Sequence, residues 1–349
     1  TVSISAIADG SSPYFYIIEK YIIENKNGVK AGILTLGATL ADMIVKDKNS
    51  NERDVCLGFD NLGDYLTLWD YQGAVVGPCA NRIGGASFEI DEKKYAVTAN
   101  EKGITCLHSA GEFNNAVWNA KILNDKSVAF TYRSPDGVNG FPGNIDAKVT
   151  YTLSDNDELS IDYEAVSDKK TPINLTNHAY FNLNGYDGGD ILSHTLKLNC
   201  SHFTPVDRNS IPTGEIRDVK DTPFAFNTAK KIGSDINAND EQLVFTGGFD
   251  HNFCIDGFDG SLREAAEAYS EKSGICLNVF TTLPGVQFYA GNFLKGDKGK
   301  NGVPMNYRSG FCLETQFYPD SVNRPEFPSC IFDAGKKYTS KTVFKFSVK

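Results

Sequence analysis

The sequence predicts an all-β protein, a large antiparallel β-sandwich with few short helices. Three observations predict it: short alternating segments recur between turn clusters, Phe, Tyr and Gly are abundant (23, 16 and 32 residues), and helical periodicity is almost absent. The alternating segments include residues 31–36, 147–153, 159–165, 195–198 and 342–348. Between them lie turn signals such as Asp47-Lys-Asn-Ser-Asn, Pro135-Asp-Gly, Ser154-Asp-Asn-Asp and Asn184-Gly-Tyr-Asp-Gly-Gly. Residues 262–269 (Leu-Arg-Glu-Ala-Ala-Glu-Ala-Tyr) read as helix by propensity. The next run, 274–281, reads as a strand close enough to form a hairpin with it, so both are expected to be strands. With no low-complexity linker, internal repeat or long charge run, residues 1–349 are expected to form one sandwich domain.

Composition narrows the function classes. With 349 residues and 41% apolar content, the chain has ample material for a core. Its net charge of −10 repels phosphate backbones, which disfavours nucleic acid and anionic membranes as partners. No apolar stretch approaches the ~20 residues a bilayer span needs. No basic region followed by an apolar core opens the chain at Thr1, so a cytoplasmic protein is expected. Eight cysteines (56, 79, 106, 200, 254, 276, 312 and 330) contain no CxxC pair and sit mostly in apolar runs. They read as reduced, buried thiols. Asn174-Leu-Thr and Asn199-Cys-Ser match the glycosylation pattern and, without a secretory signal, read as chance matches.

Three strand-like segments carry polar groups where core residues are expected. In 171–181, a period of two puts Asn174, Thr176, His178 and Tyr180 on one face. In 310–319 it groups Cys312, Glu314, Gln316 and Tyr318, and a carboxylate in so apolar a run needs a partner or a purpose. In 283–290, Gln287 and Tyr289 share a face opposite Val286 and Phe288. A lone strand histidine is more often structural, and a lone strand glutamate more often solvated. Three such strands, with the turn-borne Asp250, point to a polar pocket, although spacing alone does not show that they converge. No HExxH or comparable metal spacing occurs among His108, His178, His194, His202 and His251, so no metal site is expected. Asp250 and His251 point to opposite faces if extended. No GxSxG, P-loop or GxGxxG is present.

Several blocks resemble the galactose mutarotase (aldose 1-epimerase) family, in the family's order from about residue 30 onward. They are Ala80-Asn-Arg-Ile83, Leu107-His108, Ser134-Pro-Asp-Gly137, Asn177-His-Ala-Tyr-Phe-Asn182 and Ile211-Pro-Thr-Gly214. Further blocks are Gly248-Phe-Asp-His-Asn-Phe253, Pro284-Gly-Val-Gln-Phe-Tyr289 with Gly291-Asn292, and Gly310-Phe-Cys-Leu-Glu-Thr-Gln316 with Pro319-Asp320. The resemblance implies a sandwich with a cleft on one face and interconversion of the α and β anomers of free hexoses such as galactose and glucose. It implies His178 as general acid and Glu314 as general base, with His108 and Asp250 holding sugar hydroxyls. Asn81, Arg82 and Gln287 match further sugar contacts, and Tyr180 is expected beside the acid. Ring opening moves protons but no electrons, so no cofactor is implied. The sequence departs from the family's pattern at Ser109-Ala110, where Gly-Gly is common, in the Glu112-Phe-Asn-Asn115 loop, at Pro78 and at Leu283.

Other classes remain open in the residues themselves. A sugar-binding module without turnover needs neither His178 nor Glu314. A hexose 6-phosphate epimerase needs basic groups beyond Arg82. A glycosidase pairs two carboxylates, for which Asp250 and Glu314 are the candidates, and leaves His178 unexplained. The sequence does not give the oligomeric state.

Overall fold

The computed structural model describes residues 2–8, 15–67 and 71–349. Its largest unit is a nine-stranded antiparallel sheet. The strand order is Asn119–Asn124, Ser127–Ser134, Ile145–Leu153, Glu158–Ser167, Tyr338–Val348, Ile275–Thr281, Arg263–Tyr269, Thr195–Leu198 and Lys230–Lys231. The last long strand of the chain thus sits near the middle of the sheet. Alternation explains its two faces. Ile145, Ala147, Val149, Tyr151 and Leu153 point into the core, as do Leu159, Ile161, Tyr163 and Ala165. The opposite face carries cross-strand ion pairs, Lys148–Glu164 (3.2 Å), Lys341–Asp162 (3.1 Å) and Lys345–Glu158 (3.1 Å). Such partly exposed pairs add little stability but keep this face polar.

A five-stranded sheet carries the polar motifs. Its order is Arg217–Asp218, His202–Phe203, Asp250–Cys254, Gly285–Tyr289 and Cys312–Gln316. The last three strands are buried on both faces. Register aligns Asn252, Gln287 and Glu314 in one row, and Asp250, Tyr289 and Cys312 in the next. The opposite face presents Phe253, Val286, Phe288 and Leu313 to the core shared with the large sheet. Thr315 Oγ1 meets Thr342 Oγ1 of the large sheet at 2.6 Å, a direct bond across the sandwich. Phe181 packs on Phe344 at 5.1 Å between the same layers. Each such apolar side chain contributes about 1.5–3 kcal/mol on burial, which is what lets the other face of these strands carry buried polar groups.

A third, N-terminal sheet runs in chain order through Val2–Ala8, Phe15–Glu24, Lys30–Leu34, Leu40–Lys46 and Glu52–Asp54. Among the described residues there are two short α-helices, Asp64–Thr67 and Glu241–Thr246, and no helix long and apolar enough to cross a membrane. The helix-favouring 262–269 segment is strand, Arg263–Tyr269, paired as a hairpin with Ile275–Thr281. Sheet pairing overrides its propensity, with a register shift between Glu264 and Ala266. All eight cysteines are buried, and none forms a disulfide.

One expectation needs correction. Residues 171–181 do not form a continuous strand; only Thr171–Pro172 and Thr176–Asn177 pair as strand. Pro172 has no N–H to continue a ladder. Side chains take over the backbone bonding instead. Asn174 Oδ1 accepts from Phe317 N (2.9 Å), and Asn177 Oδ1 accepts from Ala179 N (3.0 Å). The expected row of four therefore splits: His178 and Tyr180 reach a pocket, whereas Asn174 braces Phe317.

Candidate active site

The pocket opens over the polar face of the five-stranded sheet and has a volume of about 390 Å³. Its wall includes Asn81, Arg82, His108, His178, Tyr180, Asp250 and Glu314, seven of the eight residues singled out from sequence. Gln287 is the exception. It lies behind Asp250 and donates Nε2–H to Asp250 Oδ1 at 2.7 Å. It belongs to a relay in which Asn81 Nδ2 donates to Gln316 Oε1 (3.2 Å) and Gln316 Nε2 donates to Gln287 Oε1 (3.0 Å). Gln316 Nε2 also reaches Asn252 Oδ1 at 3.1 Å. This chain of buried amide bonds fixes the carboxylate at its end, with Asn252 Nδ2 the one amide group in it left without a partner.

His178 and Glu314 form the centre. His178 Nε2 lies 3.7 Å from Glu314 Oε1, and both residues are buried. Glu314 Oε2 has no hydrogen-bond partner, which is costly for a buried acceptor. Burial pushes the Glu314 carboxyl well above the usual carboxylate range; Asp250 adds to the rise and Arg82 opposes it. Burial also lowers His178 to about 4. Both shifts favour the uncharged forms, a neutral imidazole beside a protonated carboxyl. That state has the same proton count as an imidazolium–carboxylate pair.

His108 is held differently. The Arg82–Ile83 and Cys106–Leu107 strands pair, which sets Asn81 beside His108. Asn81 N donates to His108 Nδ1 at 3.1 Å, and His108 N donates to Asn81 O at 3.0 Å. A ring whose Nδ1 accepts a backbone N–H carries its own proton on Nε2 when neutral. Burial, followed by His178 and Arg82, holds its basicity well below the usual histidine value. His108 is thus a fixed neutral donor. The donor atoms of His108, His178 and Glu314 lie within 4.8 Å of one another, the one grouping among the described residues with the composition of a metal site. The proton on His108 Nε2 opposes that use, because a ligating nitrogen must offer a lone pair.

Arg82 is clamped by Glu101 in a two-pronged bond, Nε to Oε2 and Nη2 to Oε1, each 2.9 Å. Its Nη1 faces Asp250 Oδ2 at 3.7 Å. Burial works against the guanidinium charge, and Asp250 and Glu101 more than offset it, so its basicity rises. Asp250 is itself raised by burial, with Arg82 and Gln287 pulling the other way. Its neighbour His251 points into the core against Phe224 (4.6 Å), as alternation predicted.

Sequence reasoning missed Glu101 and Tyr71. Glu101 sits in the Asn100-Glu-Lys-Gly103 turn and carried no pattern. Tyr71 packs its ring 4.6 Å from His108 and 5.6 Å from His178. Tyr71, Asn81 and His108 all have left-handed backbones, with φ of 54°, 64° and 50°. Three strained non-glycine residues around one pocket fit the pattern of strain stored at functional sites. Lys102, Leu107, Ser210, Phe245, Tyr289 and Phe293 complete the wall. Of the departures from pattern, Leu283 lines a separate groove with Phe258 and Phe317, away from this pocket.

The Aldose 1-epimerase family model matches residues 19–345. The chain belongs to the aldose 1-epimerase family. It is 42% identical to the galactose mutarotase of Bos taurus over 333 residues, covering 95% of this chain and 94% of that protein. It is 34% identical to the aldose 1-epimerase of Escherichia coli, covering 98% and 97%. An aldose epimerase homologue from C. elegans superimposes with a TM-score of 0.87 at 33% identity, covering 94% of this chain and 98% of that one. The family membership therefore agrees with the antiparallel sandwich read from the strands.

Proposed function

We propose that this chain interconverts the α and β anomers of free hexoses such as galactose and glucose, with His178 as the acid and Glu314 as the base. The observation that carries the reading is the 3.7 Å approach of His178 Nε2 to Glu314 Oε1 on the wall of one pocket. The ring oxygen and the C1 hydroxyl of a pyranose are both bonded to C1, so their acid and base must stand side by side.

In the proposed reaction, imidazolium His178 protonates the ring oxygen while carboxylate Glu314 takes the C1 hydroxyl proton. The C1–O5 bond breaks and an aldehyde forms. Rotation about C1–C2 presents the other face, and reclosure returns both protons. Opening leaves a neutral imidazole and a protonated carboxyl, the pair that burial favours here, so the pocket stabilises the open-chain stage. His108 and Arg82 supply donors to the sugar oxygens, and Asp250 an acceptor. Acid and base catalysis each typically contribute about 10²–10⁴-fold.

The charge distribution favours an uncharged sugar. Arg82 is already shared between Glu101 and Asp250, and Glu314 stands beside them, so the exposed Lys102 is the cation on this wall left to meet a phosphate, against three carboxylates. A cytoplasmic setting is part of the same proposal. Polarimetry on freshly dissolved α-galactose and α-glucose tests it. The expected result is accelerated decay of rotation to equilibrium. A rate equal to the uncatalysed one would leave a sugar-binding module as the reading.

A further inference from the structure

This inference rests on the acid role assigned to His178 and concerns what orients that ring. The two nitrogens of His178 have different neighbours. Nε2 faces Glu314, while Nδ1 lies 3.7 Å from Cys312 Sγ, within reach of a weak sulfur hydrogen bond. Cys312 and Glu314 are two residues apart on one strand, so alternation places thiol and carboxylate on the same face, on either side of the imidazole. Cys312 is fully buried.

The direction of that bond decides what Nε2 can do. If the thiol donated to Nδ1, the neutral ring would carry its proton on Nε2 and could not take one back there. If Nδ1–H donates to sulfur, Nε2 is a lone pair in the neutral ring and an acid in the charged one. Only the second arrangement lets one nitrogen serve both ring opening and reclosure. We propose that Cys312 is a positioning residue that accepts the His178 Nδ1–H, reserving Nε2 for proton exchange with the sugar, and that sulfur orients the ring without stabilising the imidazolium. A carboxylate in its place would hold the charged ring more tightly and make it a weaker acid. A serine oxygen, on a shorter bond to Cβ, would fall short of Nδ1. The other groups facing His178 are Glu314, His108 (5.2 Å between rings), Tyr71, Tyr180 (5.1 Å) and Tyr289 (6.5 Å), with Arg82 and Asp250 beyond them. The ring also bonds the backbone of His178 itself, and the Cys312 thiol is the side chain measured against Nδ1, at 3.7 Å.

The test combines ¹⁵N NMR of the histidine rings with kinetics of Cys312→Ala and Cys312→Asp. In the wild-type protein, neutral His178 is expected as the Nδ1–H tautomer. Cys312→Ala is expected to show a tautomer mixture and to lower kcat about 10-fold, with KM changed by less than about 2-fold, the size typical of lost outer-shell partners. Cys312→Asp is expected to move the acid limb of the pH–rate profile up by about one unit. An Nε2–H tautomer in the wild-type protein overturns the proposal. So does Cys312→Ala with wild-type kcat and a single tautomer, the result for a cysteine that only fills space. Because the ring spectrum needs no turnover, an inactive wild-type enzyme would refute the reaction while the bond was still decided.

Discussion

Asn81 and His108 clasp each other through two bonds: the Asn81 N–H enters His108 Nδ1, and the His108 N–H returns to Asn81 O. Both residues occupy left-handed backbone conformations to do so. The clasp makes His108 a donor of fixed direction. His108→Asn is therefore expected to lower kcat/KM about 100-fold, the scale of losing one aimed donor in a dry site. Steady-state polarimetry across sugar concentrations checks this.

Glu101 aims Arg82. Glu101→Gln keeps its size but loses the charge and one of the two acceptor oxygens, freeing the guanidinium to swing toward Asp250. The expected effect is a rise in KM of about 10-fold, with kcat changed much less, as for a change in uniform sugar binding. Glu101→Ala is expected to be worse on the same axis. A fall in kcat at constant KM would place Glu101 in the chemistry instead.

The Ser109-Ala110 departure has a physical reading. Both residues sit at positive φ, 51° and 55°, in the position where a Gly-Gly pair costs nothing. Ser109 offsets its strain by accepting from Cys79 N and donating to Cys79 O, both at 2.9 Å. No comparable side-chain bond is open to Ala110. Ala110→Gly is expected to stabilise the protein by about 1 kcal/mol, read as a higher urea midpoint.

His251 is buried among aromatic rings with its Nε2 unpartnered, and burial lowers it to about 3. Its folded value lies below the unfolded one of about 6.5, so its contribution to stability is complete above that value and is lost as pH falls. In His251→Phe this loss is absent. The stability of the variant relative to wild type is expected to improve by about 2 kcal/mol between pH 7 and pH 5. Urea unfolding at the two pH values measures it, and a pH-independent difference would contradict the assignment.

The strands were legible because alternation is local. Gln287 and Tyr289 opposite Val286 and Phe288, and Asp250 opposite His251, follow from a period of two alone. The polar faces were legible for the same reason. Convergence was not, since the register joining Asn252, Gln287 and Glu314 spans distant segments. The 171–181 segment misled because its period of two is real while its hydrogen bonds go to side chains. Glu101 and the Asn81–His108 clasp were invisible because a turn and a left-handed residue leave no periodicity. The bond from Gln287 to Asp250 was not legible either, because it joins residues 37 positions apart in the chain.

In the proposed reaction Glu314 removes the C1 hydroxyl proton beside His178, and the turnover of Glu314→Gln reads that role. Polarimetric kcat with α-galactose is expected to fall by at least about 10²-fold, while calorimetry still detects galactose binding. A variant that turns over at near the wild-type rate would contradict the account.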